Sequence, residues 1–280
     1  GAIMVVMSSL IKAAGTVPAG QIVFFRSFFA IFPILLMLMW QRQLATAFHT
    51  TRPVSHVLRG LVGVTSMALT FFGLTRLPLP DAITLNYAQP LIVVVFSAIF
   101  MGEVVRAYRW SAVLIGFIGV VIIAWPKLTL LTGAQGLESG QAAGVIAILC
   151  GPAFTAVAML LVRKLVTTEK TATIVLWFSV TATVVSLFTV PFGWQSLTYW
   201  QVMALIGAGL CGGVGQILMT QCYRYAELST IAPFEYSSML LAIVVGYFAF
   251  GEVPTLYTLI GGVIVVGAGL FIIWRERQLG

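Results

Sequence analysis

Apolar residues fall into ten runs, 2–14, 21–40, 57–74, 82–101, 110–125, 144–162, 172–190, 200–222, 229–250 and 256–274, separated by brief polar or basic segments. A helix needs roughly 20 mostly apolar residues to cross a bilayer, and most of these runs are of that order. The first is short, and since residue 1 is Gly rather than Met, further residues are expected before it. The longest connection, 126–141, carries Gly133, Gly136 and Gly140 and marks the midpoint. Six of the seven Trp residues, 40, 110, 125, 194, 200 and 274, fall at run ends, where amphipathic rings settle at the headgroup level. Only Trp177 lies inside a run. The pattern predicts an all-α membrane protein of ten transmembrane helices.

Composition agrees. Of 280 residues, 60% are hydrophobic and 8% charged, with mean hydropathy +1.05, whereas a soluble domain carries about 25% charged residues. The net charge of +7 reads as topology. With the N-terminus in the cytoplasm, eleven Lys and Arg residues, among them Arg42, Arg109, Lys170 and Arg277, fall on the cytoplasmic side, against Arg76 and Lys127 opposite. That bias follows the positive-inside rule, places both termini in the cytoplasm and removes the need for a nucleic-acid partner. Lys12 and Arg26 remain, inside the first two runs; structural pairing is expected for both, with carboxylate binding the alternative. Cys150, Cys211 and Cys222 form no C-x-x-C pair and read as packing residues.

The chain repeats itself. "MGEV" at 101–104 returns as "FGEV" at 250–253, an offset of 149. The same offset brings Tyr87 onto Tyr236, Tyr108 onto Tyr257 and Trp125 onto Trp274. Two units follow, 1–126 and 142–280, joined by 127–141. Five spans is an odd number, so the second unit is inverted in the membrane relative to the first. Inverted repeats serve transporters, with a site near the midplane between the halves.

Two five-helix halves, each closing on a Gly-Glu turn, together with "FFRSFFAIFPILL" at 24–36, resemble the drug/metabolite transporter superfamily and its EamA-type ten-helix members. The subfamily most resembled is that of YddG-type bacterial amino-acid exporters. The resemblance implies a multi-pass protein of the bacterial inner membrane, working as a monomer in the lipid bilayer. It implies a secondary transporter that exports small metabolites, amino acids including aromatic ones, by alternating access. A drug or other metabolite exporter of the same superfamily, or a channel, is the alternative.

Candidate site residues lie where polar groups interrupt the apolar runs. Asn86, Gln89, Pro90 and Val93 share one helix face by their spacing. At the 149 offset Glu235 matches Asn86 and Ser238 matches Gln89. Polar groups in hydrocarbon must face protein or a watery cavity, and Pro90 and Pro233 free carbonyls that need the same setting. Matched, Pro-interrupted segments in the two halves point to a binding site. Helix–helix hydrogen bonds of roughly 0.6–2 kcal/mol each are the competing role. Tyr87 and Tyr236 are candidates to stack on a substrate; Trp177 and Gln216 are further cavity candidates. Glu235 is the one acid deep in a run, thin machinery for obligatory proton exchange, so facilitated transport is expected. Glu103 and Glu252 read as turn anchors, and Gly209 with Gly213 as a G-x-x-x-G that brings helices close. No cofactor or metal is implied. An intramembrane enzyme lacks its parts: Asp81 is the sole Asp, and His49 and His56 are assigned to one cytoplasmic loop.

Overall fold

The computed structural model describes residues 2–86, 89, 92, 95, 96, 99, 106–128, 140–225 and 241–279. Among them the apolar runs are helical and no strand occurs. We label the helices α1 (Ala2–Ala13), α2 (Ala19–Trp40), α3 (Pro53–Arg76), α4 (Leu79–Asn86), α5 (Ala107–Leu128), α6 (Gly140–Leu165), α7 (Thr171–Leu187), α8 (Tyr199–Tyr225), α9 (Leu241–Phe250) and α10 (Leu256–Leu279). Beyond α4 the backbone is helical at 89, 92, 95, 96 and 99. Five helices, α2, α3, α6, α8 and α10, are long and apolar enough to cross a membrane; α1, α7, α9 and the 107–123 part of α5 are shorter apolar helices. Large apolar side chains such as Leu36, Phe188, Phe248 and Val263 point outward, as lipid contact requires.

Pro53 opens α3. Its missing N–H falls where a helix has no acceptor to offer anyway. The helix therefore begins before the apolar run, and this corrects one expectation: His56 belongs to α3 and is buried, not placed in a loop.

Helix termini gather at two ends. One end holds Lys12, Leu77, Leu79 and Glu252; the other holds Thr50, His56, Glu169 and Arg224. Lipid gives helices no hydrophobic reason to associate, so small residues and close packing must do it. Helix α2 packs on α7 and α8, α3 on α6 and α7, α1 on α8, and α5 on α10. A Cβ built on Gly213 would lie 2.7 Å from the Ala30 carbonyl oxygen, and one on Gly209 2.8 Å from that of Phe25. The G-x-x-x-G of α8 thus meets the backbone of α2.

The α5–α10 crossing carries the 149-residue register in its contacts. A Cβ on Gly261 would lie 2.5 Å from the Gly119 oxygen and 2.3 Å from Ile123 Cγ1. Adding 149 to 119 and 123, and subtracting it from 261, gives Ala268, Ile272 and Ala112, which form a buried cluster of their own with Val113.

Candidate functional site

Polar side chains line the inner faces of α3, α4 and α6. Asn86 and Gln89 are both half-buried. The Gln89 amide nitrogen lies 3.0 Å from Met159 Sδ on α6, a weak acceptor. One face of α6 carries Gly151, Thr155 and Met159, four residues apart. There the Ser66 hydroxyl of α3 donates to the Gly151 oxygen at 3.1 Å and contacts Thr155 Oγ1. Gln89, one turn beyond α4, thus meets α6 through a soft sulfur. Gln216 is half-buried on α8. Tyr87, Pro90, Pro233, Glu235, Tyr236, Ser238 and Glu103 lie outside the described residues.

Trp177 stands apart from this set. Its indole stacks on His56, ring centroids 5.4 Å apart at 18°, and meets Phe48 edge-on at 5.8 Å. Its N–H donates to the Phe48 oxygen at 3.4 Å. Two turns into α7, the ring anchors the α2–α3 connection. The same cluster holds Glu169, whose carboxylate accepts from the Thr50 hydroxyl and lies 3.7 Å from His56 Nε2. Arg224 of α8 donates to the Glu169 carbonyl at 2.7 Å and to Thr171 Oγ1 at 3.2 Å. Beside it a cavity of about 190 Å³ opens among Met37, Gln43, Lys170, Gln221 and Arg224. The sequence reading missed the His56–Glu169 pair, although Pro53 three residues before His56 marks the helix start that buries it.

The opposite end is tied by Glu252. Gly251 closes α9 at φ +62°, its N–H donating to the Tyr247 oxygen at 3.2 Å, a left-handed cap that suits glycine. The Glu252 carboxylate then accepts from the Leu79 N–H at 2.7 Å, at the start of α4, and pairs with Lys12 at 3.2 Å. Lys12 also donates to the Leu77 oxygen at 2.6 Å. This Gly-Glu pair is a turn that reaches across the bundle to cap another helix.

Two arginines lie deep inside. Arg26 of α2 is 2% exposed; its Nη2 lies 3.3 Å from the Gly212 oxygen of α8, and its Nη1 has no hydrogen-bond partner among the described residues. Arg59 of α3 is also buried, its guanidinium 4.1 Å from the centre of the Phe178 ring.

The model of the EamA-like transporter family matches residues 1–125 and 142–274. This chain belongs to the EamA-like transporter family. It is a multi-pass membrane protein and a transporter, not an enzyme. An S-adenosylmethionine uptake transporter of Rickettsia bellii is 26% identical over 92% of this chain and 84% of its own length. The pseudopaline exporter CntI of Pseudomonas aeruginosa is 30% identical over 94% and 89%. A riboflavin transporter of Vibrio cholerae is 29% identical over 80% and 72%. A solved crystal structure superposes with a TM-score of 0.68 at 19% identity, covering 99% of this chain and 96% of that one, and so shares the fold. The relatives' names span chemically different small metabolites and both directions of transport, while family membership fixes transport itself.

Proposed function

We propose that this EamA-like protein exports small metabolites, amino acids including aromatic ones, by alternating access between two inverted five-helix repeats, residues 1–126 and 142–280. On this reading ten spans cross the bacterial inner membrane, both termini are cytoplasmic, the protein works as a monomer, and the site lies between the halves. The observation that carries it is the division of the family match into two blocks, 1–125 and 142–274, each of five runs. The exchange-related contacts of α5 and α10 support the same division. The polar face of Asn86 and Gln89 against α6 supports a site between the halves, with Tyr87, Glu235, Tyr236 and Ser238 as its expected remainder. Export has a parallel in the pseudopaline exporter; uptake, favoured by the S-adenosylmethionine transporters, is the second reading.

The test is flux through proteoliposomes with a radiolabelled amino-acid panel, with and without a pH gradient. Saturable flux of at least one amino acid, stimulated by the same solute on the far side, is the expected result. Ohmic single-channel current would make the protein a channel instead. Equilibration without accumulation under a pH gradient is expected of a facilitator; accumulation would make it a proton antiporter.

Orientation has its own assay. In a background lacking Cys150, Cys211 and Cys222, a Cys at Gln135 should react with an impermeant thiol reagent on whole cells, and a Cys at Thr168 should not. The reverse pattern would invert the topology.

A further inference from the structure

Arg26 occupies a place that the packing alone leaves unexplained. An arginine in hydrocarbon stays charged, because its pKa is too high for burial to neutralise it. A buried cation without a partner costs several kcal/mol. Arg26 is 2% exposed, makes one long hydrogen bond to the Gly212 oxygen at 3.3 Å and leaves Nη1 unmatched. The ion pairs seen among the described residues, Lys12 with Glu252 and His56 with Glu169, do not include it.

The surroundings make room for both guanidinium groups. A Cβ on Gly212 would lie 2.8 Å from Arg26 Nε, and one on Gly63 2.3 Å from Arg59 Nη1. Gly212 is the central residue of α8, which runs from Tyr199 to Tyr225, so the Arg26 head lies near mid-depth. That depth excludes a lipid headgroup as the occupant. It is where an alternating-access protein holds its solute. A mid-depth cation whose Nη1 is unmatched among the described residues calls for an oxyanion, and arginine matches a carboxylate with two parallel N–H···O bonds.

We propose that Arg26 anchors the carboxylate of the transported solute. This rests on the reading of the chain as a carrier of amino acids and names the group by which they are held. With the carboxylate on Arg26 near α2 and α8, the rest of the solute is directed towards the polar face of α3, α4 and α6, so Asn86 and Gln89 would contact the side-chain end.

The experiment compares each amino acid with its carboxamide, which keeps the side chain and the ammonium but has no negative charge. Thermal unfolding of the purified full chain is followed during titration with each compound and with inorganic phosphate. Wild type is expected to bind one or more amino acids about 10–100-fold more tightly than the matching amides, the worth of one charge-assisted hydrogen-bond pair. Arg26→Met should abolish that preference, and Arg26→Lys should keep part of it. A purely structural Arg26 would lower the melting temperature without changing the acid-to-amide ratio. If Arg26→Met does not fold, the wild-type ratio and Arg26→Lys decide. Amides that bind as well as acids, or an acid preference that survives Arg26→Met, would overturn the proposal. So would stabilisation by phosphate with none by any amino acid. Arg26-dependent binding of carboxylates without flux in proteoliposomes would overturn the exporter reading and leave the anchor standing. Flux of amino acids and amides alike would do the opposite.

Discussion

Gly213→Val is expected to remove most of the folded protein from the membrane. The added Cβ would lie 2.7 Å from the Ala30 oxygen and 2.9 Å from Ala30 Cα. Both are backbone atoms, so no rotamer change can relieve the clash and α2 must part from α8. Gly209, one turn earlier, is held as closely, its Cβ position 2.6 Å from Phe29 Cβ. Overpacking a well-filled site costs typically about 1–3 kcal/mol, and a rigid backbone clash belongs at the top of that range. A protein whose whole stability is on the order of 5–15 kcal/mol feels such a loss. Gly267→Val is the control, since a Cβ there meets nothing within 4 Å. Size-exclusion profiles and melting temperatures should separate the two variants by several degrees. Equal melting would mean that α2 and α8 do not touch as described.

Glu252→Ala should be the most damaging single loss of a polar contact. It removes the acceptor for the Leu79 N–H at 2.7 Å and the partner of Lys12 at 3.2 Å, with the two side chains 17% and 14% exposed. Partial exposure places the cost below that of a fully buried pair, at about 1–3 kcal/mol. Glu252→Gln retains an acceptor for Leu79 and should recover part of it. Lys12→Met combined with Glu252→Gln should cost less than the sum of the two single changes, because the second removes a charge the first leaves stranded. Additive losses in thermal unfolding would show that the ion pair contributes nothing of its own.

The positions of the helices could be read from the chain because bilayer thickness writes itself into run length. Edges moved where a helix runs past its apolar stretch: α3 starts at Pro53 rather than 57, and α8 runs on to Tyr225 rather than 222. The turn role of Glu252 was legible from its Gly neighbour, but its partner was not, since Lys12 lies 240 residues earlier. Local spacing holds no trace of such a pairing. Trp177 shows the same limit: its place inside a run suggested a cavity wall, while Phe48 and His56, from a different connection and helix, turn it into a loop anchor. Arg26 was visible as a charge out of place. That its Nη1 goes unmatched depends on which helix faces it. The candidates around Glu235 and Tyr236 remain, like Tyr87, expectations from the repeat.

The glycines also carry a drawing of a second conformation. Exchanging the two halves turns the α3–α6 interface into α8–α1, and α2–α8 into α7–α3. In the first member of each pair a backbone oxygen reaches the glycine: that of Gly144 at Gly73, beside the Ile148 side chain, and that of Ala30 at Gly213. The second member keeps side chains in between, with Leu10 over Gly207, Met4 over Gly215, Thr181 over Gly60 and Phe178 over Gly63. On the two-repeat reading the opposite state would be reached by trading side-chain contact for backbone contact. α1 would settle onto α8 and α7 onto α3, over glycines already facing them, while the tight pair loosens. Gly212 meets Arg26 in the α2–α8 pair, and Gly63 meets Arg59 and Phe178 in the α3–α7 pair. On the two-repeat reading the same stroke would free space at Arg26, held between α2 and α8, and tighten it at Arg59, held between α3 and α7.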